Sequence, residues 1–165
     1  MKNKFIPLAI VLVSFASVAY ASFASTLTIN GIGTATGNWD VEIISITPTG
    51  QVGATDHVST PSFTTTSATF NVDLAYPGAT SSYQVAIKNK GNINAKLSTI
   101  TDLTTLNAAA PTYITYSLAG VAVNDALAPN ATATATVTVV WASSANTNPS
   151  GASKAATINF NYIQN

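Results

Sequence analysis

The chain has 165 residues with no cysteine, one histidine, six lysines, no arginine and six acids, a formal net charge of zero and only 7% charged side chains. No basic stripe is available to neutralise phosphates, which excludes nucleic acid as a partner. Few side chains suit general acid, base or nucleophilic chemistry, so neither an enzyme nor a cofactor or metal is expected. Solubility rests instead on 25 threonines and 16 serines, an extracellular look, and β-branched threonine favours strands.

Lys2 and Lys4 form a short positive head, Phe5 to Val18 is apolar, and Ala19-Tyr20-Ala21 or Ser22-Phe23-Ala24 offers small residues for cleavage. Residues 1–24 therefore read as a secretory signal peptide, after whose removal the chain is extracellular and membrane-free. The alternative is an uncleaved anchor, because Phe5 to Ala24 approaches the roughly 20 apolar residues that cross a bilayer. Precursors of type IV pilins and archaeal flagellins carry a small residue between the positive head and the apolar run, whereas here Phe5 follows Lys4 directly. Removing the leader leaves 165 − 24 = 141 residues, enough for one core in a single domain. Without cysteine, stability has to come from packing, strand pairing or assembly.

Residues 25–37 are an N-terminal extension. Leu27 and Ile29 alternate with threonines, and Gly31, Gly33 and Ala35 continue the same phase. The segment reads either as the first strand of its own domain or as a donor strand given to the next subunit, with the glycines allowing close backbone approach. Residues 38–165 read as a β-sandwich. Asn38 to Thr47 is a strand whose apolar phase switches at Ile44 and Ile46, as at a bulge, and Pro48-Thr49-Gly50 ends it. A weak strand follows near His57 to Phe63. Ala68, Phe70, Val72 and Leu74 then share one face, and Tyr76-Pro77-Gly78 is a stop.

Tyr83, Val85 and Ile87 alternate with polar residues, and Ile93, Ala95 and Leu97 do so after Asn89-Lys90-Gly91-Asn92. The pattern predicts a hairpin, its turn built from residues that tolerate positive φ. Thr112 to Leu118 is the next strand. Ala131 to Trp141 alternates Ala131, Ala133, Ala135, Val137, Val139 and Trp141 with threonine, small residues first and the aromatic last. Ser143 to Ser153 is a loop, and Ile158, Phe160 and Tyr162 close the chain. Nine or ten strands at this spacing predict an all-β, single-domain, two-sheet sandwich of jelly-roll or immunoglobulin-like type.

No site stands out for chemistry. His57 beside Asp56 reads as a solvated loop residue, and Asp40 with Glu42 as a solvated strand face in place of a calcium site. Lys88, Lys90 and Lys96 gather round the expected hairpin as solubilising edge residues. An isopeptide crosslink there needs a buried lysine, an Asn or Asp and an acid in one apolar pocket. Asn130-Ala131-Thr132 makes Asn130 a candidate glycosylation site.

The order of features resembles the TasA and camelysin type of secreted fibre protein and the related archaeal bundling pilins. The likeness is carried by the leader ending near Ala-Tyr-Ala-Ser-Phe, by Pro77-Gly78 followed by Tyr83-Gln84-Val85-Ala86-Ile87-Lys88-Asn89-Lys90-Gly91-Asn92, and by Leu127-Ala128-Pro129-Asn130 before the Thr/Val strand. It implies a jelly-roll-like subunit that polymerises head to tail by donor-strand exchange into biofilm fibres, with Leu27, Ile29 and Ile32 docking in the neighbour's groove. The metalloprotease activity ascribed to camelysin does not carry over, since no zinc motif is present. The lack of arginine fits an archaeal surface pilin. The expected function is a structural subunit of an extracellular filament, its partners being copies of itself and neighbouring filaments bundled through the threonine-rich exterior. Ala133, Ala135, Val137 and Val139 are the candidate acceptor groove. The alternative is a monomeric cell-surface adhesion or carbohydrate-binding module using Trp39 or exposed tyrosines.

Overall fold

The computed structural model describes residues 36–145 and 152–165. The chain divides after Ala35, and Thr36–Asn165 is the unit that carries the described strands. Leu27, Ile29 and Ile32 lie outside the described residues.

In chain order the elements are β1 (Val41–Val52), β2 (Ala54–Asp56), β3 (Ser62–Phe63), β4 (Ser67–Phe70), β5 (Val72–Leu74), β6 (Thr80–Asn89), β7 (Ala95–Ile100), α1 (Leu103–Ala108), β8 (Ile114–Ala119), β9 (Ala126–Leu127), β10 (Thr132–Trp141), β11 (Ala152–Ser153) and β12 (Ala156–Gln164). The class is all-β, in antiparallel sheets. Four strands pair in the order β1-β6-β10-β8, five in the order β3-β4-β12-β7-β9, and three in the order β11-β5-β2. Only Asn71 separates β4 from β5, and only Lys154 and Ala155 separate β11 from β12, so the five- and three-stranded ladders follow one another along the same chain segments.

Period-two alternation places one set of side chains inside. Tyr83, Val85 and Ile87 of β6, Ala135, Val137, Val139 and Trp141 of β10, and Phe70, Leu97 and Ile158 from the other ladder are all buried in a single core. The rings of Phe70 and Tyr83 meet at 5.2 Å across the layers, and Tyr113 covers Trp141 at 5.4 Å.

Three expectations change. β1 runs through Pro48-Thr49-Gly50 to Val52, absorbing the turn residues at a second register shift; the first, between Ile43 and Ser45, is the bulge read from the phase switch. β6 and β7 are not a hairpin, because β6 pairs with β1 and β10 while β7 pairs with β12 and β9. The same crossing between ladders occurs at β1 to β2, β5 to β6, β7 to β8, β8 to β9, β9 to β10 and β10 to β11. Finally α1, whose N-cap Asp102 accepts from Thr104 N, stands where the sequence showed no helical periodicity. Its six residues are too short to display one.

Candidate assembly interface

β10 is an inner strand. It pairs with β6 from Thr132 to Val140 and with β8 from Thr136 to Trp141. Ala135, Val137 and Val139 are buried and Ala133 is half-buried, all packed with the chain's own core. At the acceptor groove expected at Ala133, Ala135, Val137 and Val139, the tapered face packs in the core of its own domain, with β6 alongside β10 from Thr132 to Val140 and β8 only from Thr136 onward. The outermost strands of this sheet are β1 and β8.

The β8 edge is closed by side chains. Asn107, near the end of α1, lies alongside Tyr116 as a neighbouring strand would: Nδ2 donates to Tyr116 O at 2.8 Å and Oδ1 accepts from Tyr116 N at 2.7 Å. One turn earlier, Ile114 N donates to Pro111 O at 3.3 Å, and Ile114 O accepts from Lys154 Nζ at 3.1 Å. The same ammonium donates to the carbonyls of Ala109 at 2.7 Å, Pro111 at 3.3 Å and Asn107 at 3.4 Å. Lys154 is only 6% exposed, and burial holds its pKa below the usual lysine value. The ammonium at the end of α1 supplies donors to carbonyls that the helix leaves unpaired. Its own backbone carbonyl accepts from the Tyr116 hydroxyl. Among the described residues no carboxylate meets Lys154 and the Asn107 amide is committed to Tyr116, so the cluster lacks what an isopeptide needs. Sequence reading missed it, because a single lysine between Ser153 and Ala155 carries no pattern.

The β1 edge is different. Ile43 N points away from β6 and donates to Thr65 O at 2.8 Å. Ile43, Ile46, Pro48 and Gln51 oppose alternate residues of β6, Ile87, Val85, Tyr83 and Ser81, so their backbones share that outward direction. Beyond Ile43 the outward groups of β1 have no backbone partner among the described residues. Pro48, which has no N–H to donate, sits where an edge strand tolerates it. Beside the bulge, Ile43, Ile44, Phe63, Thr64 and Thr65 line an open groove of about 420 Å³, with Glu42 and Lys90 also at its wall. Ile44 and Phe63 are exposed there, and Lys90 forms an ion pair with Glu42 that raises the lysine pKa.

The chain enters β1 over the Asn89–Asn92 corner. Asp40 O accepts from Lys90 N and Gly91 N at 2.7 and 3.1 Å, and Asn38 O from Asn92 N at 3.0 Å. Asn92 Oδ1 accepts from Asn38 N at 2.7 Å, and its Nδ2 donates to Thr36 O at 3.2 Å. Residues 36–40 thus continue the line of β1 past its end. Asn89 is buried; its Nδ2 ties Ile93 O and Leu127 O together and its Oδ1 accepts from Gly91 N.

Asn130 is exposed at φ 63°, beside an exposed Thr132, and its N donates to Asn89 O at 2.8 Å. The sequon therefore sits on the same corner. His57 is half-exposed with Nδ1 3.1 Å from Asp73 Oδ2. Among the described residues no group of three or more His, Asp or Glu could hold a metal ion, and no helix is long and apolar enough to cross a membrane. No protein-family model, curated protein or solved structure matches the chain.

Proposed function

We propose that the protein is a structural subunit of an extracellular filament, a secreted, jelly-roll-like sandwich that polymerises head to tail when residues 25–36 of one copy add as a strand to the next. What supports this most is the division of the chain: the alternating run with Leu27 and Ile29 precedes the unit Thr36–Asn165, and that unit keeps a long sheet edge without a backbone partner among the described residues. Main-chain hydrogen bonds would supply affinity and the apolar knobs the register. A head-to-tail contact of this kind does not close on itself, so it propagates. Threonine-rich outer faces then serve lateral bundling, and Asn130 is the candidate sugar site.

Purified chain beginning at residue 25 is expected to form fibres in negative stain, and the same chain beginning at residue 37 to stay monomeric with unchanged β circular dichroism. Fibres from both, or from neither, overturn the reading. Exposed Trp39 supports the second reading, a monomeric carbohydrate-binding module. That reading gains if neither chain assembles and Trp39 fluorescence responds to polysaccharide.

A further inference from the structure

The two edges of the four-stranded sheet are unequal, and the inequality is built from specific groups. On β8 the outward N–H and C=O of Ile114 are bound by Pro111 and Lys154, and those of Tyr116 by Asn107. By alternation, Leu118 is the one outward position of β8 left without a partner among the described residues. An incoming strand needs consecutive alternate positions to gain ladder hydrogen bonds, and β8 offers one. The outer strands of the other ladders, β2, β3, β9 and β11, are two or three residues long.

β1 is twelve residues long and, among the described residues, is paired with a strand on one side. Past the Thr65 contact its outward positions are Ile46, Pro48 and Gln51, and the groove with Ile43, Ile44 and Phe63 lies beside the same edge. Pro48 and the register shifts at Ile44 and Thr49 prevent a long, regular ladder from forming. A short strand with two apolar side chains suits such an edge. The run Thr26 to Ile32 carries Leu27 and Ile29 two residues apart and then falls to glycine at Gly31 and Gly33.

We infer that the β1 edge around Ile44 to Gln51, with its Ile43–Ile44–Phe63 groove, is the acceptor for residues 26–32 of a second copy, and that Asn107 and Lys154 make growth one-sided by closing the β8 edge. The inference rests on the filament reading, and adds which edge is used and what bars the other. Addition at one edge only keeps the polymer unbranched, because each subunit accepts a single strand. The second copy is favoured over the chain's own segment by the path of residues 36–40, which are held extended by the corner and lead past the end of β1 instead of turning back along it.

The chain has no cysteine, so disulfide trapping reads without background. Thr47 and Ser117 are exposed on β1 and β8 respectively. Chains from residue 25 carrying Thr28→Cys with Thr47→Cys, or Ile44→Cys in its place, are expected to give a ladder of covalent oligomers after oxidation of preformed fibres. Thr28→Cys with Ser117→Cys is expected to stay monomeric on the same non-reducing gel. Laddering through Ser117, with none through Thr47 or Ile44, in chains that still form fibres overturns the β1 assignment and leaves the filament reading standing. A fast-migrating, internally bridged monomer with no fibres shows that β1 takes its own chain's segment, and overturns both. Absence of fibres together with absence of any crosslink also overturns both. The guard has its own readout: Asn107→Ala is expected to add branched or laterally fused fibres, and Asn107→Gln, which restores an amide, fewer of them. Unbranched fibres from Asn107→Ala that are indistinguishable from the parent overturn that part.

Discussion

Lys154 shows how one side chain can do the work of a missing strand. Its three N–H donors are shared among four carbonyls, those of Asn107, Ala109, Pro111 and Ile114, and no carboxylate accompanies them. Burying the ammonium costs desolvation, and burying the carbonyls without it costs more, since each orphaned acceptor forfeits about 1 kcal/mol or more. Lys154→Met keeps the alkyl stem and deletes the donors, so it is expected to lower stability by about 1–3 kcal/mol. Lys154→Arg should not recover this, because a planar fork does not fit a compact cage built round a point charge. Urea unfolding is the check, read at the midpoint with the slope unchanged. A Met variant as stable as the parent means that the desolvation cost cancels the four contacts.

Among the elements, the Asn89–Asn92 corner separates what local sequence encodes from what it does not. Alternation located β4 to β6, β8, β10 and β12, because each buries one face and the pattern is set residue by residue. It does not encode which strand lies alongside, so an Asn-Lys-Gly-Asn turn between two amphipathic strands looked like a hairpin and is in fact a crossing between ladders. The reason for glycine changes with it. No residue of this turn has a positive φ; instead a Cβ on Gly91 would stand 2.3 Å from Asn38 O and 2.9 Å from Asp40 N, both backbone atoms. Gly91→Ala is therefore expected to lose about 1–3 kcal/mol by overpacking. Gly50→Ala is the control: nothing lies within 4 Å of its Cβ and its φ is ordinary, so the change should be neutral or slightly stabilising. Equal midpoints for the two variants would remove steric approach as the reason for Gly91. The proposed interface was legible only in part. The proposed donor run is visible as alternation, whereas the edges that could receive it depend on Asn107 meeting Tyr116 and Lys154 meeting α1, contacts between residues that share no local pattern.

For the molecule as a whole, almost free of charge, the response to pH falls mainly to tyrosines held in or against the core. Burial raises the Tyr83 pKa from 10.0 to about 12, with its hydroxyl bonded to Asp56 as the next cause. Burial does the same to Tyr162, pushed up to about 12 with Asp125 adding to it, and it raises Tyr116 as well. A group that prefers its neutral form in the fold contributes its full stability below the unfolded value of 10.0 and loses it as pH rises through the folded value of about 12. Lys154 works in the opposite sense. Its lowered pKa costs stability while the ammonium is charged, and that cost disappears as pH rises through its folded pKa to the ordinary 10.5. The two effects meet near pH 10. The urea midpoint is therefore expected to hold level or rise slightly up to that point and then fall steeply toward pH 12, with the tyrosinate absorbance of Tyr83, Tyr116 and Tyr162, each read as the difference from its Phe variant, appearing together with unfolding. Tyr83→Phe is expected to be less stable than the parent at neutral pH, having lost the Asp56 contact, and to lose less of its remaining stability across the alkaline window. Tyrosinate at Tyr83, Tyr116 or Tyr162 that appears well before the fold is lost would mean that these hydroxyls titrate in the native state, and burial would no longer account for the alkaline limit.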